Sequence, residues 1–202
     1  VKFMELADRH AHLMPVANWH WNLHTVVWAA GQARPLGGDF IELGVFKGRT
    51  ARFVCDYLDF GSWAQTWWLY DNFEGIPEDQ QDAGWDRANA RAYDGRFTEV
   101  EVRERFADLA NVKVVRGRVP EVLTEQAPDA ISFMHIDLNS AAAETAALDA
   151  LWDRVTPGGI VLLDDYGWSV ARAQRLAEDA WFAERDLFVL GLPTGQGMVI
   201  KP

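Results

Sequence analysis

Five acidic residues in this chain stand where apolar runs end, and two glycines follow the first of them. The stretch Asp39-Phe-Ile-Glu-Leu-Gly-Val-Phe-Lys-Gly-Arg-Thr50 carries Glu42, Gly44 and Gly48 in the spacing E-x-G-x-x-x-G. An apolar strand ending in a glycine turn, with a helix starting directly after it, leaves a cleft at the strand's carboxyl end. Backbone N–H groups and the helix N-terminus can hold a ligand's anionic group there. The dinucleotide fingerprint G-x-G-x-x-G is not matched by Gly44-Val-Phe-Lys-Gly48. A carboxylate at Glu42 would repel a pyrophosphate and suits a ligand carrying a cation. Plain helix packing is the alternative use of the two glycines.

The other four acids extend the pattern. Asp71 ends a second apolar run 29 residues after Glu42, where an acidic side chain can accept both hydroxyls of a ribose. Asp137 ends another run, and Asp164-Asp165 ends a fourth. On neighbouring parallel strands these three carboxylates reach one rim, where they repel one another unless a proton or a cation intervenes. Oxygen-rich sites of this kind suit hard divalent cations, chiefly Mg²⁺; one aspartate of the pair capping the next helix is the simpler role. His135 shares a strand face with Asp137, as a proton acceptor or as a hydrogen-bonded core histidine. His20 and His24 lie four apart on one helical face, compatible with a pocket, a zinc site or ordinary packing.

The elements that must position these groups alternate along the chain. Residues Met4 to Ala33 read as helical and are broken by Arg34-Pro-Leu-Gly-Gly38. Strands are expected at Phe40–Leu43, Thr66–Tyr70, Val112–Val115, Ala130–Ile136 and Ile160–Leu163. Helices are expected at about Thr50–Leu58, Thr98–Leu109 (Thr98 as N-cap), Val119–Gln126, Ala141–Val155 and Val170–Ala183. Glu74 to Asp94 reads as a long loop. Leu187–Leu190 and Met198–Ile200 form a closely spaced final pair, expected as an antiparallel hairpin around Pro193-Thr-Gly-Gln-Gly197. The pattern predicts an α/β fold: a Rossmann-like, doubly wound, mainly parallel seven-stranded sheet with a C-terminal hairpin and a helical N-terminal extension. The 202 residues suit one domain, with 1–38 as a substrate or oligomer segment and 39–202 as the core.

Composition narrows the partners. A formal net charge of −11 argues against a nucleic-acid surface, and no run approaches the roughly 18 apolar residues of a membrane span. Glu5, Asp8 and Arg9 interrupt any signal-peptide core. With the single cysteine, Cys55, this points to a reducing cytoplasm; Cys55 itself, in an apolar helix, reads as a buried inert thiol. The chain has ten tryptophans, six of them in Trp19–Trp28 and Trp63–Trp68; these clusters read as core or subunit contacts, or as a pocket wall stacking on a flat substrate.

Four blocks together resemble a class I S-adenosylmethionine-dependent methyltransferase, and more narrowly the macrocin O-methyltransferase (TylF-type) family. They are Phe40-Ile-Glu-Leu-Gly-Val-Phe-Lys-Gly48, Leu69-Tyr-Asp-Asn-Phe-Glu-Gly-Ile-Pro-Glu78, His135-Ile-Asp-Leu138 and Pro157-Gly-Gly-Ile-Val-Leu-Leu-Asp-Asp-Tyr166. The resemblance implies S-adenosylmethionine held by Glu42, Gly44, Val45, Gly48 and Thr50 at its methionine part. It implies Asp71 and Asn72 at the ribose, and Gly117 and Arg118 at the adenine. It further implies Mg²⁺ on Asp137, Asp164 and Asp165, and a small sugar-like or natural-product hydroxyl as acceptor. The proton would go to Asp137, Asp164 or His135, and the enzyme would be a homodimer or higher homo-oligomer. Two departures stand out. The Glu74–Asp94 loop lacks the histidine proposed as base in the family's best-known members, its nearest groups being Asn89 and Tyr93. Leu138-Asn-Ser-Ala-Ala-Ala143 replaces the usual acidic, tyrosine-bearing run. A metal-dependent hydrolase could use the same three aspartates but has no use for Glu42 and Asp71. A non-catalytic partner subunit would keep the fold without turnover.

Overall fold

Side chains on the central strands alternate between two cores, and that two-residue period organises the molecule. The computed structural model describes residues 2–13, 20–82 and 99–202. Seven strands form one sheet: β1 Asp39–Leu43, β2 Trp67–Asp71, β3 Val112–Arg116, β4 Ile131–Ile136, β5 Val155–Leu163, β6 Leu190–Gly191 and β7 Gly197–Ile200. Their order is β3-β2-β1-β4-β5-β7-β6. The first five run parallel, while β7 is antiparallel to both β5 and β6. The doubly wound sheet and its antiparallel C-terminal hairpin are as expected from the sequence.

Phe40, Trp67, Leu69, Phe133, Ile160 and Leu162 face one core. Against them pack α1 (Lys2–Arg9), α2 (His20–Ala33) and α3 (Arg49–Leu58). The N-terminal helices are thus part of the layer that covers this face. Ile41, Leu43, Tyr70, Met134, Ile136, Val161 and Leu163 face the second core. There α5 (Ala141–Leu151) and α6 (Arg172–Ala183) supply Leu148, Leu151, Trp181 and Phe182. Fully burying each large apolar side chain contributes on the order of 2 kcal/mol. The intervening α4 covers Glu99–Arg105.

Several elements differ from the sequence expectation. The helix expected over Met4–Ala33 breaks after α1, where Ala11–Leu13 forms a 3₁₀ turn; residues 14–19 lie outside the described residues, and α2 is described from His20. The segment after cis-Pro120 makes only a 3₁₀ turn, Glu121–Thr124, instead of a helix over Val119–Gln126. Helix α4 stops at Arg105, and the N–H of Leu109 bonds to the carbonyl of Phe106 in a turn. The expected N-cap Thr98 lies outside the described residues. Pro157-Gly158-Gly159 does not end the preceding helix but lies within β5, which begins at Val155. The first strand of the final hairpin is shorter than expected: only Leu190–Gly191 pairs, and Phe188 is 90% exposed.

Tryptophans divide by position. Trp67 is fully buried, whereas Trp21 and Trp28 on α2 are exposed; Trp19 lies outside the described residues. Cys55 is buried, and burial pushes its thiol well above the usual range. No helix among the described residues is long and apolar enough to cross a membrane.

Candidate functional site

The strand order reverses between β1 and β4, and such a switch point opens a crevice at the strands' carboxyl ends. Here the crevice is a cavity of about 450 Å³, a volume suited to a nucleoside-sized ligand. Of the residues singled out from the sequence, its walls include Glu42, Gly44, Val45, Thr50, Asp71, Asn72, Gly117, Arg118 and Asp137.

The turn after β1 is shaped by close backbone approach. Gly44 has φ +86°, and a Cβ there would lie 1.8 Å from the carbonyl oxygen of Asp137. Only glycine lets the β1 and β4 ends meet in this way. The amides of Gly44 and Val45 donate to the carbonyl of Tyr70 at 2.9 and 3.3 Å, tying the turn to β2. Asp71 completes the tie: its Oδ2 accepts the Phe46 N–H and its Oδ1 the Phe73 N–H, both at 2.7 Å. Burial raises the Asp71 carboxyl, and the amide donors of Phe73 and Phe46 counter that rise. A carboxylate has about four acceptor directions, so Asp71 retains capacity toward a ligand while it organises the turn. Asn72 closes its own loop instead: its amide donates to the Gly75 carbonyl and its oxygen accepts from Glu74 N–H. Gly48 is not on the cavity wall; a Cβ there would press 2.7 Å from the Phe106 ring, so its use is packing.

The loop after β2 folds over the cavity. Arg118 pairs with Asp79, Gln80 Nε2 donates to the Val119 carbonyl at 2.8 Å, and Asp82 accepts from the Ala141 N–H at 2.9 Å. Phe73, Gly75, Ile76 and Pro77 thereby join the wall. They were not singled out as site residues, although the block Asp71-Asn-Phe-Glu-Gly-Ile-Pro77 that carries them was. His12 also lines the cavity, and no sequence signal set it apart from the other histidines. Asn89 and Tyr93 lie outside the described residues. His20 and His24 are on α2 and not on the wall; the His24 ring meets Phe3 at 5.6 Å and Trp21 at 6.1 Å.

Behind the wall runs a buried polar line. His135 is 1% exposed, with Nδ1 3.7 Å from Glu42 Oε1 and Nε2 3.3 Å from Asp164 Oδ1. Burial opposes the imidazolium, but the two carboxylates outweigh it and hold His135 well above the usual histidine range. Burial alone would raise Asp164; the bond from His135, assisted by Gln196, instead leaves it below the usual carboxylate range. For Glu42 burial dominates, so its carboxyl is raised despite His135. His135 therefore stands between two carboxylates and not on the cavity wall, which suits holding Glu42 and Asp164 in place better than taking a substrate proton.

Asp137 and Asp165 respond to the same crowding. Burial, then repulsion from Asp164 and Asp165, pushes Asp137 well up, and burial with Asp164 raises Asp165 to about 7. Asn139, in the left-handed region at φ 57°, donates from Nδ2 to Asp137 Oδ1 at 3.2 Å. The three aspartates are thus near enough to repel one another. Among the described residues, however, no group of three or more His, Cys, Asp or Glu side chains is arranged to hold a metal ion.

Comparison with known proteins agrees with this geometry. Residues 11–187 match the family model described as macrocin-O-methyltransferase (TylF). An 8-demethyl-8-(2,3-dimethoxy-alpha-L-rhamnosyl)-tetracenomycin-C 4'-O-methyltransferase of Streptomyces olivaceus is 28% identical over 144 residues, covering 67% of this chain and 55% of that protein. A demethyldecarbamoylnovobiocin O-methyltransferase of Streptomyces niveus is 28% identical over 139 residues, covering 64% and 53%. The chain spans about half the length of these curated relatives. The solved structure of the O-methyltransferase NovP superposes with a TM-score of 0.75 at 23% identity, over 89% of this chain and 79% of that one. The O-methyltransferase TomG of Streptomyces achromogenes, solved in complex with SAM, superposes with a TM-score of 0.60 at 13% identity, over 100% and 90%. Both likenesses are of fold.

Proposed function

The chain belongs to the macrocin O-methyltransferase family, and on that premise we propose that it transfers a methyl group from S-adenosylmethionine to a hydroxyl of a small sugar-like or natural-product acceptor. The observation that carries the reading is the cavity at the β1–β4 switch point, with Glu42 and Asp71 both on its wall. Glu42 meets the cationic methionine end, Asp71 the ribose hydroxyls, and Gly117 and Arg118 the adenine. One curated relative is named for a rhamnosyl tetracenomycin and the other for demethyldecarbamoylnovobiocin, and the first name supports a sugar hydroxyl as acceptor here. The hydrolase reading has no support from any of these matches.

When bound, S-adenosylmethionine supplies an electrophilic methyl group on a sulfonium. The chain's own contribution is to hold the acceptor oxygen in line with that methyl, in a site screened from water. Asp137 lies on the cavity wall, and Asp164 is buried beside His135 and off the wall; one of them receives the hydroxyl proton. Of the two, Asp137 is the one on the wall, while Asp164, held below the usual carboxylate range by His135 and Gln196, keeps its charge. Mg²⁺ dependence is the finer part of the reading, supported by the oxygen-donor chemistry and mutual repulsion of Asp137, Asp164 and Asp165. As packed, these side chains do not form a ligand set. A cytoplasmic homo-oligomer is in keeping with the buried thiol and the exposed Trp21 and Trp28 of α2.

Incubation with methyl-labelled S-adenosylmethionine and an acceptor panel containing methyl α-L-rhamnopyranoside tests the proposal. The expected product is a labelled methyl ether, and Asp164→Asn should remove turnover while calorimetric affinity for S-adenosylhomocysteine stays within about twofold. Failure of the native protein to bind S-adenosylhomocysteine at all would overturn the reading. Binding without turnover on any acceptor would favour a non-catalytic subunit.

A further inference from the structure

Gln196 has no place in the cofactor cavity, yet it is fully buried with its amide committed at both ends. Its Nε2 donates to Asp164 Oδ1 at 2.9 Å, and its Oε1 accepts from Thr194 Oγ1 at 2.9 Å. An ionised Asp164 only accepts, so the amide nitrogen is the end presented to it and the amide oxygen is left to accept from the Thr194 hydroxyl. The loop carrying both residues, between β6 and β7, is tied to the turn after Asp164 by the Gly167 N–H, which donates to the Gly195 carbonyl at 2.6 Å, and is closed on itself by the Leu192 N–H, which donates to the Gln196 carbonyl at 2.8 Å. His135 Nε2 approaches the same Oδ1 from β4 at 3.3 Å.

Two donors from different elements thus converge on one oxygen of Asp164. Their directions fix the carboxylate plane and leave Oδ2 as the oxygen that neither engages. We propose that Gln196 is a positioning residue for methyl transfer, orienting Asp164 from the C-terminal hairpin while His135 steadies the same oxygen from the sheet. This rests on the reading that Asp164 takes part in the transfer. It also gives the hairpin a function that its short, edge-lying strands do not suggest. The loop Pro193-Thr-Gly-Gln-Gly197 delivers a buried amide to the active carboxylate, which the sequence pattern of a simple turn conceals.

The variants Gln196→Met and Gln196→Glu keep the side-chain length. The first removes the donor and the second sets a carboxyl against Asp164. With labelled S-adenosylmethionine and methyl α-L-rhamnopyranoside, Q196M should lose about tenfold in kcat, the loss of one hydrogen bond to a charged group. KM and S-adenosylhomocysteine affinity should stay within about twofold, and Q196E should lose at least as much kcat. The His135 ring resonances in ¹⁵N-resolved NMR spectra should shift in Q196M, because the two donors share Oδ1. Wild-type kcat in Q196M, or a loss matched by equal loss of S-adenosylhomocysteine affinity, overturns the proposal. Should the native protein show no turnover with this probe, that result counts against the methyltransferase reading. It then overturns the role of Gln196 in transfer as well, whereas native turnover with unchanged kcat in Q196M overturns the Gln196 proposal alone.

Discussion

Glu42 and His135 stand directly opposite each other in the parallel register of β1 and β4, with Oε1 and Nδ1 3.7 Å apart. Glu42 is on the cavity wall and 2% exposed, and its Oε2 has no hydrogen-bond partner among the described residues. A carboxylate steadied by His135 on one side, with an unpaired oxygen on the other, is suited to a cationic ligand group.

The first prediction follows from that pair. Glu42→Gln keeps the shape but removes the charge, so affinity for S-adenosylmethionine should fall about tenfold or more, about 1.4 kcal/mol. Titration calorimetry measures this directly. A Glu42→Gln protein that binds as tightly as the native one would remove Glu42 from the cofactor site.

Asp71 makes a different prediction, because its two oxygens hold the amides of Phe46 and Phe73. Asp71→Ala leaves both N–H groups without that partner and should cost about 1–3 kcal/mol of stability in urea unfolding. Affinity for S-adenosylhomocysteine should fall with it, since the same side chain shapes the turn and lines the cavity. Asp71→Asn retains one acceptor and should lie between the two proteins in both measurements.

Gly44 tests the backbone design. Alanine there must adopt φ +86° and place its Cβ 1.8 Å from the Asp137 carbonyl oxygen. The strain and the clash together should destabilise the protein by about 3 kcal/mol or more. A Gly44→Ala protein with a native urea midpoint would mean that the β1 and β4 ends are further apart than described.

Much of this was legible before any coordinates. Strand alternation puts positions 40 and 42 of β1, 133 and 135 of β4, and 160 and 162 of β5 on one face. The doubly wound order then brings the acidic strand ends to one rim. The role of His135 was not legible, because it depends on register: alternation pairs it with Asp137, whereas opposition across β1 and β4 pairs it with Glu42. Gln196 was hidden for a related reason, since it acts across 32 residues of chain from a loop that reads as an ordinary turn. The Pro-Gly-Gly run misled in the other direction. Its residues are helix-stopping by type, yet the register shift in β4–β5 pairing lets β5 begin before them. In the Leu187–Leu190 run, β-forming residues were not enough, because only Leu190 and Gly191 find a partner strand.

A last prediction concerns two acids that the sequence pattern placed on separate helices and the fold brings together. Glu144 on α5 is buried, and its Oε1 accepts from the Leu138 and Asn139 N–H groups at 3.2 and 3.1 Å and from Gln174 Nε2 at 2.9 Å. Burial, then Glu178 of α6, raises Glu144 well above the usual range, and burial pushes Glu178 up to about 7. Both folded values lie above the unfolded value near 4.5, so the folded state binds more protons than the unfolded chain. Their stabilising contribution is complete below the unfolded value and is lost as pH rises through the folded ones. The native protein should therefore lose stability between about pH 5 and pH 8 relative to Glu178→Gln, whose amide stays neutral throughout. The difference should be on the order of 1–3 kcal/mol, or about 5 °C in Tm. Asp165, also near 7, is present in both proteins and largely cancels in the comparison. Parallel Tm profiles for the two proteins across this range would show that the pair does not share a proton.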